Sequence, residues 1–196
     1  MGVENRFGKG LIEIILWFVG WPLRGKGFRI AIGHNRLFLT NRYGDSHVNI
    51  LAGSAINDYL QSMTPEGSGL QIPPACLLDM QGEPLEYKES VSLSVRFPVL
   101  ARYANPLGHM QGGYIVAALD NTLGPFSYLI APPSVTSALN TQYLRPVTAE
   151  TAFIICTARL TERTRATLYL TGEARNPEGK IVAICQAVCQ ILPGKP

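Results

Sequence analysis

The clearest pattern in the chain is the alternation from Ser90 to Phe97, S-V-S-L-S-V-R-F. Val91, Leu93, Val95 and Phe97 occupy every second position, the signature of a strand with one buried face. A loop containing Asn105-Pro106 and Gly108 follows. The next stretch, Gly113 to Leu123 (GYIVAALDNTL), is apolar at nearly every position, with Asp120 set among them. It does not alternate, and a segment that is apolar nearly all round predicts a buried helix. Gly124-Pro125 is expected to end or kink that helix, with Phe126 to Ile130 extending it past the kink. Four strand-like segments complete the pattern: Thr136–Leu144, Thr151–Leu160, Ala166–Arg175 and Lys180–Leu192. Thr161–Arg165 and Asn176-Pro177-Glu178-Gly179 read as the turns between the last three. Short connections imply antiparallel neighbours. One antiparallel sheet must then curl around one apolar helix to bury it, an α+β architecture.

The first third of the chain reads differently. Glycines interrupt it at 8, 10, 20, 25, 27 and 33. The stretch Val48 to Met63 predicts a helix, with Ile50, Leu51, Ala55, Tyr59 and Leu60 near one face. Thr64-Pro65-Glu66-Gly67-Ser68-Gly69 breaks it. The expected organisation is a helical N-terminal extension over residues 1–70, followed by the sheet-and-helix domain over 71–196.

Leu11–Leu23 (LIEIILWFVGWPL) is strongly apolar, yet its thirteen residues fall short of the ~20 that cross a bilayer. Glu13 lies inside it and no small-residue cleavage site follows, which argues against a signal peptide. Trp17, Phe18 and Trp21, flanked by Arg6, Lys9, Arg24 and Lys26, suit a helix lying in a membrane interface. The same residues suit a helix packed on the domain or on a partner subunit. The expected location is cytoplasmic, with peripheral membrane contact through this segment left open.

Composition narrows the function classes. At 46% hydrophobic and 16% charged residues over 196 positions, the chain has the balance of a folded domain, not a disordered one. The net charge of +3 comes wholly from residues 1–60, since residues 61–196 carry ten basic and ten acidic side chains. That is too sparse for a nucleic-acid-binding face, and no nucleic acid is expected as a partner. Cys76, Cys156, Cys185 and Cys189 show no metal spacing. Cys185 and Cys189 stand about 13 Å apart along one strand and cannot bridge. They read as small buried side chains in a reducing compartment.

The candidate chemistry lies in N-P-L-G-H-M-Q-G-G-Y-I-V-A-A-L-D, residues 105–120. The first turn of a helix has unpaired N–H groups and the positive end of the dipole. Gly112 and Gly113 carry no side chain to obstruct a ligand there, so the position suits a carbonyl oxygen gaining negative charge. Asp120 lies about two turns further on. A carboxylate in an apolar helix is costly unless used or paired. Leu119 and Leu123 are expected to desolvate it and make it a stronger base. Each feature has a structural alternative. Asn105-Pro106 suits a plain turn, Gly112-Gly113 close packing, Asp120 a pair with Arg145 or a backbone donor, and Thr136 an ordinary strand position. Arg159, Arg163 and Arg165 cluster beside a hairpin turn, either as a solvated turn or as a clamp for phosphates.

These residues resemble the signature of hot-dog-fold acyl-CoA thioesterases of the phenylacetate-pathway type, which runs Asn, a Gly, His-Gly-Gly, then Asp after seven further residues. S-V-T-S-A-L-N-T-Q-Y-L-R-P-V, residues 134–147, is similar to the family's next strand, and the resemblance covers about residues 85–192. It implies a hot-dog fold hydrolysing acyl-CoA to free acid and coenzyme A. No metal is implied, and no cofactor beyond coenzyme A as part of the substrate. Asn105 would orient the thioester or the water, Gly112 N–H would face the thioester oxygen, and Gly113 would flank it. Asp120 would be base or nucleophile, with Thr136 positioning the water or the acid. The resemblance also implies a homodimer or homotetramer, with Asp120 and Thr136 coming from the subunit opposite Gly112. One departure stands out. Gln111 replaces the family's His, and an amide can donate a hydrogen bond but cannot deliver a proton. A non-catalytic acyl-thioester-binding protein is the alternative this favours.

Overall fold

The computed structural model describes residues 29–33, 36–40, 48–64 and 71–193; Leu11–Leu23 lies outside them. In chain order the elements are β1 (Arg29–Gly33), β2 (Arg36–Thr40), β3 (Val48–Ala52), α1 (Ser54–Ser62), α2 (Ala75–Asp79), β4 (Glu83–Lys88) and β5 (Ser92–Pro98). Then come α3 (Gly112–Ile130), β6 (Ser134–Tyr143), β7 (Phe153–Arg163), β8 (Thr167–Arg175) and β9 (Ile181–Ile191). The nine strands form one sheet in the order β1-β2-β3-β4-β5-β7-β8-β9-β6. Every pairing is antiparallel. Strand β6 follows α3 in the chain but sits at the far edge, so the chain then returns across the molecule to place β7 beside β5.

Helix α3 lies against β5, β6, β7, β8 and β9. Its buried residues Ile115, Ala118, Leu119, Thr122, Leu123 and Phe126 recur at helical spacing and face the sheet. Full burial of a side chain such as Phe126, which is 0% exposed, stabilises the fold by about 1.5–3 kcal/mol. Gly172 on β8 is the seat for this helix. A Cβ there would come within 2.6 Å of Cys185 Sγ and 3.4 Å of Leu119 Cδ2. The helix does not stop at Gly124-Pro125. Pro125 removes only the bond to the Asn121 carbonyl, and the C-terminal turns are anchored elsewhere. Ser127 Oγ donates to the Gly124 carbonyl (2.6 Å) and accepts from Ser134 Oγ (2.8 Å) at the start of β6. Nor is the helix enclosed all round: Gly113, Tyr114 and Asp120 are exposed, because one sheet covers one face.

The described part of residues 1–70 is not the helical extension expected. Its described residues include three strands that extend the sheet, with β3 paired to β4 through Ile50 opposite Lys88. The helix expected from Val48 to Met63 is a strand followed by a shorter helix. Gly53, at φ 59, makes the break between them, a backbone conformation glycine adopts freely. Strand β4 was not anticipated. Its sequence EPLEYK has no clean alternation, and only Tyr87 is fully buried. Residues on both sides of position 70 therefore share one sheet.

Candidate active site

The loop before α3 is held by Asn105. Its Oδ1 accepts from Leu107 N (2.9 Å) and His109 N (3.1 Å), and its own N–H donates to the His109 carbonyl (2.7 Å). Gly108, at φ 76, makes the turn. Asn105 thus shapes the loop that delivers Gln111, as the turn alternative supposes. Gln111 is the N-cap of α3. Its N–H donates to the Tyr103 carbonyl (2.8 Å), its carbonyl accepts from Tyr114 N (2.9 Å), and its exposed side chain makes no capping bond. The Gly112 and Gly113 N–H groups have no acceptor among the described residues. Gly113 faces open space, whereas a Cβ on Gly112 would meet the Tyr143 ring at 2.9 Å. A side chain at 112 would have to displace the exposed Tyr143 ring on β6.

Two turns along α3, the Thr136 hydroxyl on β6 donates to Asp120 Oδ1 at 2.9 Å. Of the two partners the resemblance implies for Thr136, water or the acid, the hydroxyl contacts the acid within this chain. The burial expected of Asp120 is absent: the carboxylate is exposed. Leu119 and Leu123 are buried in the core on the adjoining face of the helix. Arg145 is not its partner, since the guanidinium donates to the Ile181 carbonyl instead. Asp120, Thr136 and Asn121 form the polar edge of a cavity of about 550 Å³. Its apolar lining includes Ile56, Leu60, Leu77, Leu93 and Val95. Asn121 Oδ1 accepts from the Cys76 thiol (3.0 Å) and its Nδ2 donates to Met80 Sδ (3.4 Å). Sequence reasoning missed the contributions of α1, α2 and residues 71–74 to this cavity. An amphipathic pattern shows that a helix packs, not what it packs over.

Gly112 and Asn105 line a separate cavity of about 450 Å³ with His109, Tyr143 and Arg145. Eight residues of α3, about 12 Å of helix, separate Gly112 from Asp120. One chain therefore does not bring the free N–H groups and the acid together. Within the chain each of the three arginines is engaged differently. Arg159 pairs with Glu173 (3.2 Å), and Arg163 donates to the Ile130 carbonyl (2.7 Å), compensating the negative end of the α3 dipole. Arg165 stands exposed on the β7–β8 turn. Burial pushes the Cys185 thiol up to about 11 and raises Cys156 and Cys189 as well. These three are poor nucleophiles near neutral pH.

A long helix lying on one antiparallel sheet is the architecture of the hot-dog fold. Comparison with known proteins agrees. The family model of the thioesterase superfamily matches residues 107–183, the segment carrying α3, β6, β7 and β8. A phenylacetic acid degradation-related protein of Ralstonia eutropha is 26% identical. The match covers 69% of this chain and 98% of that one, with a TM-score of 0.58. The PaaI protein of Escherichia coli, from the phenylacetic acid degradation operon, is 19% identical. It covers 72% of this chain and 95% of its own, with a TM-score of 0.60. A Streptococcus mutans protein solved with acetyl-CoA, 16% identical, covers 67% and 100% at a TM-score of 0.55. Curated proteins yield no match. The resemblance read from residues 105–120 and 134–147 is thereby borne out. Among the described residues no helix is long and apolar enough to cross a membrane.

Proposed function

We propose that the chain hydrolyses acyl-CoA thioesters at a site assembled from two copies. The observation that carries this reading is the Asp120–Thr136 pair at the mouth of an apolar cavity, with free helix N–H groups two turns away on the same helix. Among the described residues strand β6 is a sheet edge, and it exposes Val135, Tyr143 and the adjoining Leu144. Sheet edges are normally covered. Joining β6 of two copies in antiparallel fashion lays their α3 helices side by side in opposite directions. The N-terminus of one helix then approaches the middle of the other, and Gly112 meets Asp120 across the interface.

In that arrangement the Gly112 N–H polarises the thioester carbonyl and stabilises its developing negative charge. Thr136 holds one oxygen of the Asp120 carboxylate, leaving the other for the reaction. That oxygen either takes a proton from water as the water adds to the carbonyl carbon, or attacks the carbon directly to give an Asp120 mixed anhydride that a water then hydrolyses. The C–S bond breaks, the free acid forms, and the coenzyme A thiolate leaves and is protonated from solvent. The Gln111 amide can add a hydrogen bond to the thioester oxygen but supplies no proton. Gln111 is also the feature that favours a second reading, an acyl-thioester binder without turnover.

The test is thiol release from phenylacetyl-, butyryl- and hexanoyl-CoA by purified protein, alongside sedimentation at micromolar concentration. Turnover by a dimer or tetramer is expected. Tight binding without thiol release establishes the binder instead, and full turnover by a monomer removes the shared site.

A further inference from the structure

The cavity beside Asp120 is not isolated. A second cavity of about 510 Å³ lies toward the C-terminal end of α3, lined by Met63, Leu129, Pro133 and Arg163 among others. The two share three lining residues: Leu60 of α1, Ile72 of the segment before α2, and Tyr128 of α3. These side chains stand between the two spaces. Leu60 is 5% exposed, and Tyr128 and Ile72 are half-buried. Burial, and after it Cys189 and Asp120, hold the Tyr128 phenol above its ordinary range, so the wall presents no charge to the cavity.

Resting on the thioesterase reading above, we propose that Tyr128, Leu60 and Ile72 form the end wall of the acyl cavity and set the longest acyl group the site accepts. The spacing makes the limit concrete. Tyr128 lies eight residues beyond Asp120 on α3, about 12 Å along the helix axis. Helical aromatic side chains lean back toward the N-terminus, so the ring shortens this span. An extended chain with C–C bonds of ~1.5 Å advances roughly 1.25 Å per carbon. The wall therefore admits acyl groups of up to about eight carbons, or an aryl group of similar reach. Beyond it, the second cavity offers apolar space that only an opened wall would make available.

The experiment is a chain-length series from acetyl-CoA to palmitoyl-CoA, read as kcat/KM, with the non-hydrolysable thioether analogues run in parallel for Kd. The parent should fall sharply beyond octanoyl. Tyr128→Ala should raise the dodecanoyl-to-hexanoyl ratio at least tenfold, and Ile72→Ala should shift it the same way from a segment outside the core helix. Tyr128→Trp should move the cut-off to shorter chains. A parent without a cut-off, or variants that leave the length profile where it was, overturns the proposal. The thioether series separates the two claims. A cut-off in Kd that moves with Tyr128 upholds the wall even where no thioester is hydrolysed, and its absence refutes the wall even where turnover is fast.

Discussion

Thr136→Val keeps the shape of a strand residue and removes the hydroxyl that donates to Asp120 at 2.9 Å. If Thr136 acts by orienting the carboxylate, its loss should be felt only through Asp120. A hydrogen bond to a charged group contributes about 1.5–3 kcal/mol when desolvated. In a single chain both residues are exposed, and solvent reduces the contribution to about 1 kcal/mol. At about 1.4 kcal/mol per factor of ten, that is roughly a fivefold loss of kcat. Where a second copy excludes water from the pair, the loss rises toward a hundredfold. Asp120→Asn alone should lower kcat by about 10²–10⁴-fold, the range for a general base. In the double variant, Thr136→Val should add nothing further. The assay is thiol release from hexanoyl-CoA by the four proteins of this cycle, with urea midpoints showing stability changes below about 0.5 kcal/mol for these surface sites. Losses that multiply in the double variant, or a Thr136→Val protein as fast as the parent, refute the assignment of Thr136 to Asp120.

Gln111→His should retain or raise turnover, because imidazole can both donate a hydrogen bond and carry a proton; a drop in kcat/KM would show that the amide itself is needed. Gly172→Ala should cost about 1–3 kcal/mol in urea denaturation by forcing Cys185 and α3 off the sheet, and an unchanged midpoint would mean that Cys185 simply rotates away. Glu173 offers a pH test. Burial opposes its charge, but hydrogen bonds and charge from Arg175 and Arg159 outweigh this and hold the carboxyl below its usual range. Its contribution is therefore complete above the unfolded value near 4.3 and is lost as pH falls through the lower folded value. Denaturation midpoints measured from pH 5 down to pH 3 should fall less steeply in Glu173→Gln. Deleting residues 1–26 should leave a folded protein with weaker liposome co-sedimentation, and failure to fold would place that segment in the core.

The order of strand, apolar helix and four strands was legible because period-two and all-round apolar patterns are local consequences of what each segment buries. So were the helix N-terminal glycines and the Asp two turns later, since their chemistry depends on residue type and spacing; Thr136 was picked out only by the family resemblance. The surroundings of those residues were not legible. Whether Asp120 is wet or dry depends on which side of α3 meets the sheet, and an apolar sequence on both sides of it conceals the choice. That Val48–Ala52 is a strand follows from the open edge of β4 waiting to be paired, a partner distant in sequence. Arg159 and Arg163 look alike beside their turn. Only the folded chain gives one Glu173 and the other the carbonyl end of α3. The separation of Gly112 from Asp120 is fixed by helical rise and so is readable from spacing. The joining of two cavities at Leu60, Ile72 and Tyr128 is not, because it arises where three segments remote in sequence pack against one another, and packing is decided by shape in three dimensions.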